Sequence, residues 1–431
     1  MKIHSIREFG ASESALCTAA FQGAAEACRK DEGGIILVPP GTWTTGSFRL
    51  FSGTELRLEA GAVVRASGDI ADYEPLPLRN IPKINSADRS GDVLTLIWAM
   101  DAEHLAITGS GEFDLNAEVF MDRNRLCGSS SPPSEAEKAE CHCMPKPDRP
   151  NRMFFFHRCA NIAVSGVTFR DSPAWTLVFS CSHDLRVSGV RIENSLTIPN
   201  DDGIHFCGCQ RVTVERCAIR SGDDCVAFTA ITDFDSPMTG AAVSECVFTS
   251  ASSAVRIGGR GGTFRDVNVR DCSIRDTNRG FVIFAGGRAQ VENIRIQDIE
   301  LDTHLVCGCW WGKGEPLALI AQPGGKIREV SVSGLSGSAE NSILAFGDVE
   351  ELRLQDIRLM INYGTHRPKM GNEIDLSPAT NLPAPDARRR IPWLWAEVLR
   401  PIATENINIT GDGEFSTEAM TRRHRRTERE E

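Results

Sequence analysis

The sequence predicts an all-β chain folded as a parallel β-helix, a solenoid of stacked coils, and three observations support this. Short alternating stretches of apolar residues recur along the chain, mostly at steps of about 22 to 29 residues. Each stretch is too short to bury its apolar face alone, so neighbouring stretches must stack. The β-branched alternation and the frequent glycines exclude helical repeats, and the Leu and Asn register of leucine-rich repeats is absent.

The recurring unit has three alternating apolar residues, a small or polar step, and a further apolar pair. It is clearest at residues 105–109, 161–169, 184–192, 211–219, 242–248, 266–274, 293–299, 351–357 and 406–410. Because these units follow one another along most of the chain, we predict a single β-helix domain over residues 1–420.

An amphipathic helix is predicted at the N-terminus, over residues 12–30, with Ser12 or Ser14 as its N-cap. The stretch 35–43 then reads as a strand followed by a turn. The first coil of a solenoid exposes core and strand edges, so this helix is expected to cap it.

Two segments break the repeat. Residues 120–151 form a polar insertion rich in Pro and Ser, expected as a long loop beside the cleft or as a partly mobile segment. Its Cys127 and the triplet 141–143 (Cys-His-Cys) fit no standard spacing of a zinc site, so we predict no metal. The tail, residues 421–431, is a run of charges and is predicted to be disordered.

Composition limits the partners. The net charge of −11 argues against nucleic acid held by bulk charge, and no apolar run approaches the length of a membrane span. The N-terminus lacks the apolar region of a signal peptide, so the 15 cysteines are expected as free thiols in the cytoplasm. Cys217, Cys246 and Cys272 recur at equivalent places and suggest a small apolar ladder. The oligomeric state is left open.

Two acidic turns stand out in the middle of the chain: Asn-Asp-Asp-Gly at residues 200–203 and Ser-Gly-Asp-Asp-Cys at 221–225. Their spacing is about one coil, and adjacent strands lie ~4.8 Å apart. Asp202, Asp223 and Asp224 should therefore share one small patch. Carboxylates this close raise the pKa of at least one member, which sets a proton donor beside ionised bases.

Such a set of carboxyl groups is suited to the hydrolysis of a glycosidic bond, in which one carboxyl protonates the leaving oxygen and another activates water. The alternative is structural, since Asn, Asp and Gly also form ordinary solvated turns. The occurrence of both turns at one-coil spacing within a repeat favours the catalytic interpretation.

The two turns resemble the Asn-Thr-Asp and Gly-Asp-Asp motifs of the polygalacturonase-like glycoside hydrolases of family 28, and the likeness extends over roughly residues 8–360. The stretch 170–175, Arg-Asp-Ser-Pro-Ala-Trp, is also similar to a family motif. The resemblance implies a right-handed parallel β-helix and inversion at the anomeric carbon. It implies that Asp223 is the general acid and that Asp202 and Asp224 hold the attacking water. Asp201 replaces the Thr of the family.

The sequence departs from the family at two places. Ser-Ser-Ala at 252–254 stands where Gly-His-Gly is usual, and Val-Ile-Phe at 282–284 stands where Arg-Ile-Lys is usual. In the family those cations bind the galacturonate carboxylate. Three explanations remain open: the substrate is another sugar, nearby cations replace the lost ones, or the protein binds sugar without cleaving it.

The candidate replacement cations are Arg256, Arg260, Arg279 and Lys313. The Trp310-Trp311 pair is expected to stack on sugar rings, although one Trp in the core and one on a coil edge is equally compatible. His205 follows the first turn and could change its charge near neutral pH, or be a surface strand residue. The predicted substrate-binding residues are therefore Asn200, Asp201, His205, Arg256, Arg279, Trp310, Trp311 and Lys313.

We thus predict a cofactor-independent glycoside hydrolase that cleaves pectin-derived or related oligosaccharides. The first alternative is a β-helix polysaccharide lyase, with calcium held by the carboxylates and Arg256 as the base. The second is a glycan-binding β-helix without catalysis. Calcium dependence and unsaturated products would separate a lyase from a hydrolase, and loss of turnover on replacement of Asp223 would separate an enzyme from a binding protein.

Overall fold

The structure is a computed structural model that describes residues 1–76, 93–230, 236–306, 311–362, 376, 391–411 and 415–423. It divides into two compact units, Met1–Asp223 and Asp224–Glu431. In each unit, strands pair in parallel with strands about one repeat further along the chain, which is the defining feature of a parallel β-helix. The predicted fold, a right-handed parallel β-helix, is confirmed. The extent of a single domain over 1–420 stays a prediction.

The N-terminal unit is built mainly from short strands. They are Lys2–Ser5, Gly34–Val38, Gly41–Thr45, Phe48–Arg49, Thr54–Leu58, Ala62–Ala66, Pro75–Leu76, Val93–Leu94, Ile97–Met100, Glu103–Gly109, Glu112–Asp114, Met121–Leu126, Cys143–Pro145, Arg152–His157, Ala160–Ser165, Thr168–Arg170, Trp175–Ser180, His183–Ser188, Arg191–Glu193, Ile204–Cys207, Gln210–Glu215 and Ala218–Ser221. Its helices are Thr18–Lys30 and Glu135–Glu140, with 3₁₀ turns at Ile6–Phe9, Ile70–Asp72 and Ala117–Phe120.

One corner of the coil recurs with a left-handed residue at the same register position. Ala160 pairs with His183, and His183 pairs with Gln210. The next residue in each case, Asn161, Asp184 or Arg211, has a φ between 53° and 58°. Asn and Asp tolerate this conformation because their short side chains bond locally. The polar residue that opens each repeat is therefore the corner of the coil.

Phenylalanines stack along the inside of the N-terminal unit. Phe156, Phe179 and Phe206 occupy paired positions on three successive strands and are fully buried. Their ring centroids lie 5.3 and 5.2 Å apart in nearly parallel planes. Each aromatic pair contributes about 0.5–1.5 kcal/mol beyond its buried area. This ladder fixes the register of the strands on both sides of the first acidic turn.

The N-terminal helix is Thr18–Lys30, so it begins at Thr18 and not at residue 12 as predicted. Ser12 and Ser14 form a local turn in which their hydroxyl groups bond each other at 3.1 Å. Such side-chain bonds compete with helix formation. The buried face of the helix carries Phe21, whose ring stacks on Phe48 at 4.9 Å. The helix thus covers the first coils, as a cap does.

The insertion 120–151 contains two paired strands and a short helix. Its strands Met121–Leu126 and Cys143–Pro145 pair in antiparallel fashion, and helix Glu135–Glu140 begins with a capping box formed by Ser134 and Glu137. No cysteine in the described part of the chain forms a disulfide. Within the same residues, no group of three or more His, Cys, Asp or Glu side chains is arranged to hold a metal ion.

The C-terminal unit has longer strands. They are Val226–Thr229, Met238–Ser244, Val247–Ser250, Ser253–Gly259, Thr263–Thr277, Arg279–Ala285, Gln290–Thr303, Leu317–Ala321, Lys326–Ala339, Ile343–Gly347, Val349–Ile361, Ile391–Val398, Ala403–Gly411 and Phe415–Arg423. The last strand extends three residues into the segment 421–431 that was predicted to be disordered; residues 424–431 lie outside the described part.

The cysteine positions agree with a small buried ladder. Val247 pairs with Ser273 in register, so Cys246 and Cys272 occupy equivalent positions on paired strands of the C-terminal unit, and both are buried. Cys217 is buried in the N-terminal unit.

No helix among the described residues is long and apolar enough to cross a bilayer.

Candidate functional site

The first acidic turn, residues 200–203, lies directly before strand Ile204–Cys207. Its backbone is bonded to the preceding coil, because the Thr176 amide donates to the Asp202 carbonyl at 2.9 Å. The buried Asn194 side chain donates to the Asp201 carbonyl at 2.7 Å and to the Thr176 hydroxyl at 2.9 Å. Hydrogen bonds from Thr176 and Asn194 therefore fix the conformation of the turn.

The second turn approaches the first very closely at Gly222. A Cβ atom on Gly222 would lie 2.2 Å from the Ile198 carbonyl oxygen and 2.7 Å from that of Ser195. No side chain fits in that space. Glycine is required here for the contact between the turns and not for an unusual backbone conformation.

Asp223 is held between residues of the first turn. Its backbone N–H donates to Oδ1 of Asp201 at 3.0 Å, and its Oδ2 accepts a bond from Nδ2 of Asn200 at 3.3 Å. Asp223 is half-buried, whereas Asp201, Asp202 and Asp224 are buried. Of these four carboxyl groups, Asp223 is the one with appreciable exposure, as a proton donor to a substrate oxygen must be.

Asp201 is a fully buried carboxyl group whose pKa is raised well above its usual value. Burial is the main cause, and the charges of Asp223 and Asp202 add to it, while bonds from the backbone of residues 222 and 223 oppose it. Its Oδ1 also accepts from the Ser221 hydroxyl at 3.3 Å. Its Oδ2 makes no hydrogen bond within the described residues. A neutral acid fits this environment, because an ionised one would lack solvation.

Asp202 is paired with His205. Nδ1 of His205 lies 2.8 Å from Oδ2 of Asp202, and both side chains are almost completely buried. The imidazole also stacks on Trp175, with ring centroids 3.7 Å apart. His205 is therefore no surface residue; it orients the Asp202 carboxyl and belongs to the first acidic turn.

Asp224 opens the C-terminal unit and has its own partners there. Oδ1 accepts from the Ser252 hydroxyl at 3.3 Å, and Oδ2 lies 3.6 Å from Nη1 of Arg256. The guanidinium of Arg256 stands over the Trp311 ring, 5.2 Å from its centroid. The Arg256 side chain keeps 19% of its surface exposed. The predicted residues Arg256 and Trp311 are thus brought together with Asp224.

Arg279 does not meet the expectation for a substrate cation. Its side chain has no exposed surface, and its Nε lies 3.2 Å from Oε2 of the equally buried Glu315. Glu315 neutralises the charge of Arg279 in the interior of the C-terminal unit, so Arg279 is a structural residue. The backbone N–H of Lys313 donates to the same Glu315 oxygen at 2.6 Å, which shapes the loop that carries Trp311. Trp310 lies outside the described residues.

The two positions where family cations were expected lie in an apolar cluster. Val282 and Phe284 are 1% exposed and pack with other buried residues. The cluster also contains Ala318, Ile320, Leu344, Phe346, Leu376 and Trp395. Val282 pairs in register with Arg256 on the neighbouring strand. Val282 and Phe284 are therefore buried by the apolar cluster, and the cation at this place is Arg256 on the neighbouring strand.

Two residues of the insertion contact the acidic turns and were missed in the sequence. Arg149 donates to carbonyl groups and to Asn200, and His142 lies 2.9 Å from the Gly222 carbonyl oxygen. No pattern in the insertion indicates these contacts, because they depend on how a non-repeating segment folds back. The relative position of Asp202 and Asp224 stays a prediction.

Comparison with known proteins identifies the family. The family model described as Glycosyl hydrolases family 28 matches residues 76–306, more than half of the chain. A "Probable polygalacturonase" of Vitis vinifera is 28% identical over 309 aligned positions, covering 62% of this chain and 59% of that relative. The "Polygalacturonase" of Persea americana is 25% identical over 307 positions, covering 68% and 58%. The chain thus spans less than two thirds of the length of these relatives.

Solved structures show the same fold. An exopolygalacturonase of Thermotoga maritima superposes with a TM-score of 0.64 at 21% identity, covering 95% of this chain and 92% of that one. The family 28 exopolygalacturonase of Yersinia enterocolitica gives a TM-score of 0.64 at 18% identity, covering 98% and 78%. With the matched family model, the β-helix and the two acidic turns, the chain is a member of glycosyl hydrolases family 28.

Proposed function

We propose that the protein is a glycoside hydrolase that cleaves a glycosidic bond in pectin-derived or related oligosaccharides with inversion at the anomeric carbon. The observation that carries the proposal is the placement of Asp223. It is half-buried in the second turn and contacts the half-buried Asn200 and the buried Asp201 of the first turn. A carboxyl group so placed reaches a leaving oxygen while its neighbours stay shielded from water.

In the proposed reaction, Asp223 gives its proton to the glycosidic oxygen as the bond to the anomeric carbon breaks. Asp202 and Asp224 accept hydrogen bonds from the attacking water, and one of them takes its proton. The His205 imidazole, 2.8 Å from Asp202, holds that carboxylate in one orientation. Protonation of the leaving group and deprotonation of water balance, so the enzyme returns to its starting state after proton exchange with solvent.

Arg256 is the proposed contact for an acidic sugar. It is partly exposed, lies beside Asp224 and stands over Trp311, whose ring is suited to stacking on a sugar. Val282 and Phe284, which replace the usual cations, are covered by the apolar cluster. Among the described residues at these paired positions, Arg256 is the cation next to the apolar Val282. One such cation supports a substrate with fewer charged contacts than polygalacturonan offers, such as a short or partly esterified oligosaccharide.

A cytoplasmic location is also proposed. None of the described cysteines forms a disulfide, and most of them are buried. Burial raises the pKa of Cys28, Cys143 and Cys159 to about 11, which keeps these thiols protonated and unreactive. A chain with this many cysteines and no disulfide among its described residues is typical of a reducing compartment.

The test of the function is a product assay on a panel of pectic and neutral oligosaccharides, with Asp223→Asn alongside the parent. We expect sugar release by the parent and a fall in kcat of at least about 10³-fold in the variant. Proton NMR during turnover should show the inverted anomer first. Full turnover by Asp223→Asn removes the general-acid role, and the retained anomer removes the mechanism.

The same assay separates the alternatives. Unsaturated products that absorb in the near ultraviolet, together with a requirement for calcium, would establish a lyase. Binding of an oligosaccharide without release of sugar, in the parent and the variant alike, would establish a glycan-binding protein. Either outcome excludes the hydrolase.

A further inference from the structure

The insertion 120–151 is attached to both acidic turns by buried polar contacts. Arg149 is 6% exposed, and its Nη1 donates to the Pro173 carbonyl at 2.5 Å and to the Pro199 carbonyl at 3.1 Å. Its Nη2 donates to Oδ1 of Asn200 at 3.4 Å. One guanidinium therefore ties together the segment before Trp175 and the start of the first acidic turn.

The second turn is contacted by the same insertion. His142 is 2% exposed, and its Nε2 lies 2.9 Å from the carbonyl oxygen of Gly222. Burial lowers the pKa of His142 to about 4, so its ring is neutral and Nε2 carries the hydrogen that the carbonyl accepts. The neighbouring Cys143 amide donates to the Thr197 carbonyl at 2.9 Å. Both turns are thus held from the insertion side.

The contact between Arg149 and Asn200 fixes the direction of an amide. Arginine has donors only, so the Asn200 atom that it meets must be the oxygen. The NH₂ group of Asn200 then faces the other way, where it donates to Oδ2 of Asp223 at 3.3 Å. A bond from an amide N–H favours the ionised form of a carboxyl group, whereas a reversed amide would favour the protonated form.

We propose that Arg149 is a positioning residue for the general acid: it fixes the Asn200 amide so that its NH₂ group donates to Asp223, while His142 holds the adjacent Gly222 carbonyl. The inference rests on the proposed role of Asp223. It assigns to the insertion a part in setting the protonation of the acid, and neither Arg149 nor His142 contacts the substrate in this scheme.

The decisive experiment is a double-mutant cycle read out by pH profiles of kcat/KM. Lysine at position 149 can still donate to the two proline carbonyls but lacks the second arm that reaches Asn200. We expect Arg149→Lys to move the alkaline limb upward by about one pH unit, since the carboxylate form of Asp223 loses a donor. We expect kcat to fall about tenfold with KM nearly unchanged.

Asn200→Ala should produce a similar upward movement of the alkaline limb, and Arg149→Lys added to Asn200→Ala should move it no further. Arg125→Lys is the matched control, since Arg125 is an exposed arginine of the same insertion. A limb that stays in place in Arg149→Lys overturns the proposal. So does a shift that is as large in the Asn200→Ala background as in the parent, because the effect would then bypass Asn200.

A readout without turnover keeps this test separate from the proposed function. Hydrogen exchange of peptides covering residues 194–203 and 216–223 should be faster in Arg149→Lys than in Arg125→Lys. His142→Leu should make exchange faster in the peptide 216–223. His142→Gln keeps an N–H donor, so exchange in that peptide should stay slow. Unchanged exchange in Arg149→Lys and His142→Leu would overturn the proposal that Arg149 and His142 hold the two turns. If the parent has no activity but these differences in exchange are seen, the hydrolase is refuted and the positioning role of the two residues is kept.

Discussion

Replacement of Asp201 by Asn should make the protein more stable relative to the parent as the pH rises. Asp201 is buried, its Oδ1 accepts from the Asp223 amide and the Ser221 hydroxyl, and its pKa in the folded chain is raised by burial and by neighbouring charges. In the unfolded chain it ionises near its ordinary value, about 3.9. Folding above that pH therefore requires uptake of a proton, and asparagine removes this requirement.

The size of the effect follows from proton linkage. While the folded chain holds the proton and the unfolded chain does not, the free energy of unfolding of the parent falls by about 1.4 kcal/mol per pH unit relative to Asp201→Asn. Over two pH units the difference is about 2.7 kcal/mol. It stops growing when the pH passes the pKa of Asp201 in the folded protein, so the plateau measures that pKa.

The assay is urea unfolding of the parent and Asp201→Asn at intervals from about pH 4.5 to about pH 7.5. Asp148→Asn is the matched control, because Asp148 is an exposed carboxyl of the same unit and the substitution removes the same ionisable group from the unfolded chain. A pH-independent offset that adds to the pH-dependent difference is compatible with an altered hydrogen bond. A difference that does not vary with pH, or that matches the control, would refute a neutral Asp201.

Three further outcomes are expected. Gly222→Ala should lower the free energy of unfolding by about 1–3 kcal/mol, because the new Cβ would meet the Ile198 carbonyl oxygen at 2.2 Å; urea unfolding measures it, and unchanged stability would contradict the close contact. Arg279→Met should cost about 3–5 kcal/mol by leaving Glu315 buried without its counter-ion, whereas a raised KM at parental stability would restore Arg279 as a substrate contact. Arg256→Gln should raise KM about tenfold for acidic oligosaccharides and leave neutral ones unchanged, since one charged contact contributes about 1.4 kcal/mol; an equal effect on both classes would exclude a carboxylate contact.

The coils were predictable because each repeat carries its own local signal. The alternation of apolar residues gives the strand, and the polar residue before it, as at Asn161 and Asp184, has the left-handed conformation that turns the chain. The start of the N-terminal helix was less predictable. Ser12 and Ser14 satisfy each other, and a serine used in a local turn cannot be distinguished from an N-cap by pattern alone.

The part of the site that depends only on the length of one coil could be predicted from the sequence. The motif spacing predicts that the two turns meet, and Asn200 and Asp201 of the first turn do contact Asp223. The predicted patch of Asp202, Asp223 and Asp224 stays a prediction. The environment of each carboxyl was not predictable, because burial and charge depend on the neighbouring coil. Arg279 shows the same limit: its sequence position beside the changed strand suggested a substrate cation, but a partner 36 residues away, Glu315, neutralises it in the interior.

The charges that remain near Asp224 bear on how an acidic substrate would be recognised. Arg256 already lies 3.6 Å from the Asp224 carboxylate and over the Trp311 ring, so part of its field is balanced before a sugar arrives. The net charge of −11 adds a long-range repulsion for anions. Binding of an acidic oligosaccharide must then depend on short-range contacts with the guanidinium and the ring. Added salt should screen the repulsion more than the contact, so kcat/KM for acidic substrates should rise with moderate ionic strength, whereas a steep fall would indicate steering by cations instead.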